Sequence, residues 1–384
     1  MDTASTFSRE ELTRYHRQII LPGMGRYGQE RLKAARVLIV GMGGLGSPVA
    51  MYLAASGVGT LGIADFDRVE LHNLHRQIVH DTPRVGVPKV ESAIQTLSAI
   101  NPHCNFVPHP EGVRAESLPG LLGGYDVVVD CTDNFPTRYM LNDAAVLAKK
   151  PLVYGSIHQY EGQASFFHPA EGAPCYRCLF PEMPDPASVP NCAEAGVIGA
   201  LCGIIGSIQA MEAIKFITGV GETLAGRLLV IDAATMATRT LNIKRDPTCP
   251  VCSRCARIRN IVPAEYEWSC AGPNENMSVK SEITSLELKE FLDGPNPPLL
   301  LDVREEDECA VGMIGGAINI PMAELGMRMR ELSPDRLIVA YCLSGLRSMR
   351  AQKFMQSRGF AQVLNLRGGI LTWIRDVDPD MSAY

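Results

Sequence analysis

Arg36-Val37-Leu38-Ile39-Val40-Gly41-Met42-Gly43-Gly44-Leu45-Gly46 decides the reading of this chain. A short apolar run rich in β-branched residues forms a strand, and Gly41-x-Gly43-x-x-Gly46 follows without a break. Ser47 to Ser56 then reads as a helix, with Pro48 tolerated in its first turn. Strand, glycine turn and helix in that order bring free backbone N–H groups and the positive end of a helix dipole to one spot, which suits phosphate. Asp65 ends the next strand, Thr60 to Phe66, where a carboxylate can grip ribose hydroxyls. Taken alone, Gly41, Gly43, Gly44, Gly46 and Asp65 are a dinucleotide fingerprint and leave an NAD-dependent oxidoreductase open.

Working outward, the periods alternate. Lys89 to Ile100 has helical spacing, Tyr125 to Asp130 is a buried strand, Pro136 to Lys149 a helix and Pro151 to Tyr154 a strand. The alternation implies an α/β, Rossmann-like, mainly parallel doubly wound sheet. Pro174 to Pro190 reads as a long surface loop. Ala195 to Ile208 is apolar but Gln209, Glu212 and Lys215 follow, so it reads as a buried helix, with no membrane span. Arg227 to Ala233 and Thr240 to Lys244 close the first domain, residues 1–255. Residues 256–280 read as a linker, and a second, smaller α/β pattern fills 281–384.

A length of 384 residues fits two domains. The net charge of −6 offers no basic footprint for nucleic acid. Met1 to Glu10 lacks a basic region followed by an apolar run, so a cytoplasmic setting is expected. The cysteines are then free, metal-bound or catalytic. Cys175-x-x-Cys178 and Cys249-x-x-Cys252 pair as two thiolate hooks, the pattern of a closed structural Zn²⁺ site, with a redox pair as the rival. Cys255 is expected to be a spectator. The eight histidines show no ligand spacing, and His72, His75 and His80 receive no role.

Other residues turn the reading away from NAD. Asp67, Asn73, Arg76 and Lys89 follow the second strand, and Asp133 follows the strand ending at Asp130. All fall at the carboxyl ends of parallel strands. Hydride transfer needs no cluster of cations. Breaking a triphosphate does, together with an aspartate for Mg²⁺.

These motifs carry a resemblance. Arg14-Tyr15-His16-Arg17-Gln18-Ile19, Gly41 to Gly46, Asp65-Phe66-Asp67, Asn73-Leu74-His75-Arg76-Gln77, Gly86-Val87-Pro88-Lys89 and Cys131-Thr132-Asp133-Asn134 resemble, in order, the adenylating enzymes of the MoeB/ThiF type, relatives of the ubiquitin-activating enzymes. The resemblance spans residues 14 to 252. It implies that MgATP adenylates the C-terminal Gly-Gly carboxylate of a ubiquitin-like carrier protein. It assigns the ribose to Asp65, the phosphates to Asn73, Arg76 and Lys89, Mg²⁺ to Asp133, and a structural zinc to Cys175, Cys178, Cys249 and Cys252. It also implies a homodimer, with Arg14 reaching the partner's site. Cys192 resembles a family cysteine proposed to form a transient disulfide or thioester; an inert thiol is its alternative.

Near the other end stands Cys342-Leu343-Ser344-Gly345-Leu346-Arg347, between a strand and a helix. Backbone N–H groups in such a loop cradle an anion and favour a thiolate or persulfide. Leu301 to Glu305, Gly315 to Pro321, this loop and Asn365 to Ile370 resemble a rhodanese domain over residues 281 to 384. Gly312-Met313-Ile314 departs from it, lacking a histidine often found there. The fusion resembles sulfurtransferases of the MoeZ type. It implies that Cys342, with Arg347 in its loop, takes sulfur from a persulfide or thiosulfate donor and delivers it to the adenylated carrier, leaving a thiocarboxylate. An NAD-dependent oxidoreductase, a thioester-forming activator of a ubiquitin-like protein and a non-catalytic scaffold are the alternatives.

Overall fold

Strand β1 (Arg36–Val40) runs through the middle of an eight-stranded sheet in a computed structural model that describes residues 7–184, 196–266 and 281–382. The other strands are β2 (Thr60–Ala64), β3 (Asn105–His109), β4 (Val127–Asp130), β5 (Leu152–His158), β6 (Glu161–Phe167), β7 (Arg227–Asp232) and β8 (Ala237–Asn242). Their order is β3-β2-β1-β4-β5-β6-β7-β8. Strands β3 to β5 of that order pair in parallel, and β6, β7 and β8 continue the edge antiparallel.

The continuous apolar run of β1 follows from burial on both faces. Val37 and Ile39 enter one core with Val49, Leu53, Leu201 and Ile205, while Leu38 and Val40 enter the other with Tyr139, Leu141 and Tyr154. The helix Gly199–Thr218 covers the first face. It alone among the described residues is long and apolar enough to cross a membrane. Here it lies on the sheet, with Gln209 Nε2 donating to the Asp130 carbonyl at 2.6 Å. Two strands of this sheet escaped the sequence reading, β3 and β6. Strand β3 is a half-exposed edge containing Pro108, and β6 carries Gly162 beside Ile205, so neither shows a clean period.

The chain divides into two units, and residues 281–382 belong to the second. Its strands are β9 (Glu282–Ile283), β10 (Leu299–Asp302), β11 (Ile318–Asn319), β12 (Ile338–Tyr341) and β13 (Val363–Leu366), in the parallel order β11-β10-β12-β13-β9. Residues 256–266, inside the stretch read as linker, are described with the first unit. Tyr266 is buried there and its hydroxyl donates to Asp143 Oδ2 at 2.8 Å.

Candidate functional site

The strand order reverses between β1 and β4, and open parallel sheets bind ligands beyond the carboxyl ends at such a switch point. Gly41 leaves β1 there with φ +93°, and a Cβ on it would lie 2.7 Å from the Cys131 carbonyl. Gly46 starts the helix Gly46–Ser56 so close to Gly41 that a Cβ would overlap the Gly41 carbonyl. The loop is therefore wedged against the turn that follows β4.

The sequence-predicted partners converge on this loop. Asp65 accepts the Met42 N–H on Oδ2 at 2.6 Å and the Asp67 N–H on Oδ1 at 2.8 Å. Burial raises the Asp65 carboxyl above its ordinary value, against the pull of Lys89 and of both amides. Lys89 opens the helix Lys89–Ile100, is buried, and reaches Asp67 Oδ2 at 2.8 Å. Arg76 Nη2 donates to Asn73 Oδ1 at 2.9 Å, and the Arg76 stem lies against Gly44. Asp133 is exposed and makes no ion pair among the described residues, so its carboxylate is available to a hard cation.

Arg14 stands apart. Its Nη1 donates to the Ile100 carbonyl at 2.9 Å, at the far end of the helix that Lys89 begins. That helix is about 17 Å long at 1.5 Å per residue. Cys192 lies outside the described residues.

Sequence reasoning missed the supports. Asp130, fully buried at the end of β4, accepts from the Thr132 N–H at 2.9 Å and from Arg138 Nε at 3.2 Å, while Arg138 Nη2 donates to the Thr132 carbonyl at 2.6 Å. Burial disfavours the Arg138 charge, but the Asp130 carboxylate together with Tyr154 and Tyr176 favours it more, so the guanidinium stays charged. The pair shapes the turn that presents Asp133. His80, left without a role above, contacts the Met42 carbonyl. No spacing in the sequence announces either contact: His80 and Met42 are far apart in the chain, and the Asp130–Arg138 pair crosses the turn after β4 without helical or strand spacing.

The two hooks do meet. All four Sγ atoms of Cys175, Cys178, Cys249 and Cys252 lie within 4.8 Å of one another. Cys175 is 3.5 Å from Cys249 and Cys178 is 3.4 Å from Cys252. A tetrahedral site with Zn–S near 2.3 Å has S···S edges of about 3.8 Å, so the thiols fit zinc. Asp143 braces the first hook by accepting from Arg177 Nε at 2.8 Å and Nη2 at 2.7 Å. Cys255 is exposed and outside the cluster.

In the second unit, Cys342 follows β12 and is fully buried. Gly345, at φ +96°, turns the loop so that its N–H donates to Cys342 Sγ at 3.2 Å. Ser348 Oγ is 3.5 Å from the same sulfur and donates to Asn365 Oδ1 at 2.7 Å. The helix Leu346–Gln356 starts at this loop, with its positive end toward the sulfur. Both terminal nitrogens of Arg347 bond the Glu308 carboxylate.

Comparison with known proteins finds relatives for both units. The profile of the ThiF family matches residues 15–251, and that of the rhodanese-like domain matches residues 284–376. The "Probable adenylyltransferase/sulfurtransferase MoeZ" of Mycobacterium tuberculosis is 45% identical over 394 residues, covering 100% of this chain and 98% of that protein. A "Sulfur carrier protein adenylyltransferase" of Thermus thermophilus is 50% identical over 268 residues, covering 69% of this chain and 98% of its own. A crystal structure of E. coli MccB with MccA-N7isoASN shares the fold, with TM-score 0.56 and 23% identity, covering 66% of this chain and 76% of that one.

Proposed function

This chain belongs to the ThiF family and carries a rhodanese-like domain, and from that premise we propose that it activates a sulfur carrier protein with ATP and then sulfurates it. The carrier ends in Gly-Gly. One oxygen of its terminal carboxylate attacks the α-phosphorus of ATP, the bond to the β-phosphate breaks, and pyrophosphate leaves. Arg76 and Lys89 offset the charge that develops on the phosphates. Asp65 orients the ribose, and the N–H groups of the loop from Gly43 to Gly46 face the phosphates. Asp133 is the residue that would hold Mg²⁺, which would offset negative charge on the phosphates.

A persulfide on Cys342 supplies the sulfur. Its terminal sulfur attacks the acyl carbon of the adenylate, and AMP departs with the electron pair of the broken C–O bond. A thiolate, assigned to Cys192 or to an external thiol, then attacks the Cys342 sulfur. The carrier thiocarboxylate leaves, and a disulfide remains on Cys342. One chain bearing both centres raises the concentration of persulfide around the adenylate. The Gly345 N–H and the helix start lower the cost of negative charge on the sulfur. Zn²⁺, held by Cys175, Cys178, Cys249 and Cys252, is structural, since four protein ligands leave no open position.

The observation that carries the reading is the convergence of Lys89, Arg76 and Asp65 on a glycine loop at the switch point, a cationic arrangement that hydride transfer does not require. The experiment is ATP–pyrophosphate exchange. Exchange that depends on a Gly-Gly-ended carrier supports adenylation, whereas reduction of bound NAD would return the oxidoreductase. We also assign a homodimer in which Arg14 serves the partner's site, and a reducing, cytoplasmic setting that keeps these thiols free. Loss of exchange in Arg14→Ala, restored by mixing with a Lys89→Ala protein, would test the shared site.

A further inference from the structure

The glycine loop is fastened at its second residue. The Met42 N–H is held by Asp65 Oδ2, and its carbonyl lies 3.1 Å from His80 Nε2. The other ring nitrogen, His80 Nδ1, is 2.8 Å from Ser92 Oγ. Ser92 sits in the helix Lys89–Ile100, one turn beyond Lys89. Lys89 bonds Asp67, and the Asp67 N–H donates to Asp65 Oδ1. The contacts form a closed circuit: Asp65, the Met42 backbone from its N–H to its carbonyl, His80, the helix from Ser92 back to Lys89, Asp67, and Asp65 again.

The chemistry of each link fixes the ring. A carbonyl only accepts, so the His80 proton is on Nε2, and Nδ1 accepts from the Ser92 hydroxyl. Burial, with Lys89 and Arg84 nearby, pushes the imidazole down to about 4, so it is neutral and has one N–H to give. Met42, Ser92, His80 and Lys89 are all buried, which shields the circuit from competing water. A buried imidazole that merely filled space would leave two polar nitrogens to desolvate, whereas here both are bonded.

We propose that His80 is a positioning residue for adenylation, which locks the Met42–Gly43 peptide plane to the helix carrying Lys89 and so sets the phosphate-facing N–H groups and the lysine in one register. The proposal rests on the reading that this loop holds ATP. His80 touches no reacting atom in this account. It acts through Met42 and through the helix.

Two amide substitutions separate its two nitrogens. In His80→Gln the amide reaches the place of Nε2 and can donate to the Met42 carbonyl. In His80→Asn the amide reaches only the place of Nδ1. The full-length proteins are compared by calorimetric Kd for MgATP, by KM for ATP in carrier-dependent pyrophosphate exchange, and by Tm. His80→Asn is expected to weaken MgATP and raise KM about tenfold, the worth of one hydrogen bond, while His80→Gln stays within about threefold of the unaltered protein. Equal effects in the two variants, or a lowered Tm with MgATP affinity unchanged, overturn the proposal. Should His80→Asn fail to fold, Ser92→Ala is expected to raise KM about threefold through the far side of the ring, and an unchanged KM overturns the proposal. An unaltered protein that binds no MgATP defeats the nucleotide reading and the proposal with it. Normal binding in the unaltered protein with no shift in any variant defeats the proposal alone.

Discussion

Arg347 and Glu308 face each other as a two-pronged ion pair, with Nη1 2.5 Å from Oε2 and Nη2 2.6 Å from Oε1. The pair ties the first turn of the helix that follows Cys342 to the helix Glu306–Val311. The arginine thus braces the loop whose Gly345 N–H meets the sulfur.

Arg347→Ala should therefore destabilise the second unit. Both side chains are mostly buried, and removal of one leaves the other charge without its partner, at a cost of about 2 kcal/mol. Burial alone would raise the Glu308 carboxyl, but the hydrogen bonds from Arg347 and the Glu305 amide, with the Arg347 charge, hold it below its ordinary value of 4.5. A lowered acid stabilises above its unfolded pKa and loses that effect as pH falls through the folded one. The gap between variant and unaltered protein should be full at neutral pH and shrink in acid below 4.5. Denaturant midpoints across that range check it; a gap independent of pH would contradict it.

Gly46→Ala tests the nucleotide loop. A Cβ at this position would lie 1.9 Å from the Gly41 carbonyl, and backbone cannot yield as a side-chain tip does. Calorimetry should show MgATP binding lost. Sulfur loading of Cys342 from thiosulfate should persist, because that chemistry belongs to the other unit. Unaltered MgATP affinity would remove the loop from the site.

Lys89→Ala addresses charge stabilisation during adenylation. A buried cation aimed at developing phosphate charge is worth about 10²–10³ in rate. Pyrophosphate exchange should fall by that factor while MgATP Kd changes less. A drop confined to affinity would assign Lys89 to ground-state binding only.

Chelation tests the four-cysteine cluster. Elemental analysis should find zinc bound, and Cys249→Ser should lose it. Removal is expected to lower Tm of the first unit by about 10 °C, as loss of several kcal/mol does in a domain of this size. A metal-free protein of unchanged Tm would leave the thiols as a packed cluster.

The parts of the site that were legible in sequence lie within short segments. Gly41 to Gly46 encloses its own geometry, the C-x-x-C hooks fix two thiols each, and Cys342 to Arg347 contains the N–H donor that meets the sulfur. Strand β1 was legible because both its faces are buried. Strand β3 was not, since an edge strand packs only in part and Pro108 carries no strand signal. The partners of Arg347, Arg138 and His80 were illegible for a different reason. Glu308 lies 39 positions before Arg347, and Met42 lies 38 before His80. Such contacts arise only when the fold brings distant segments together. Asp130 is near Arg138 in the chain, yet its burial depends on the helix Gly199–Thr218 packed over β4.

The central claim, that adenylation and Cys342 sulfur act on one carrier, is tested most directly by mass spectrometry. A Gly-Gly-ended carrier is incubated with the protein, MgATP and a sulfur donor, beside a Cys342→Ala control. The account predicts a carrier heavier by the exchange of one oxygen for sulfur, absent in the control and absent without ATP. The same shift in the Cys342→Ala protein, or a carrier adenylated but never sulfurated with persulfide and thiosulfate donors alike, would contradict it.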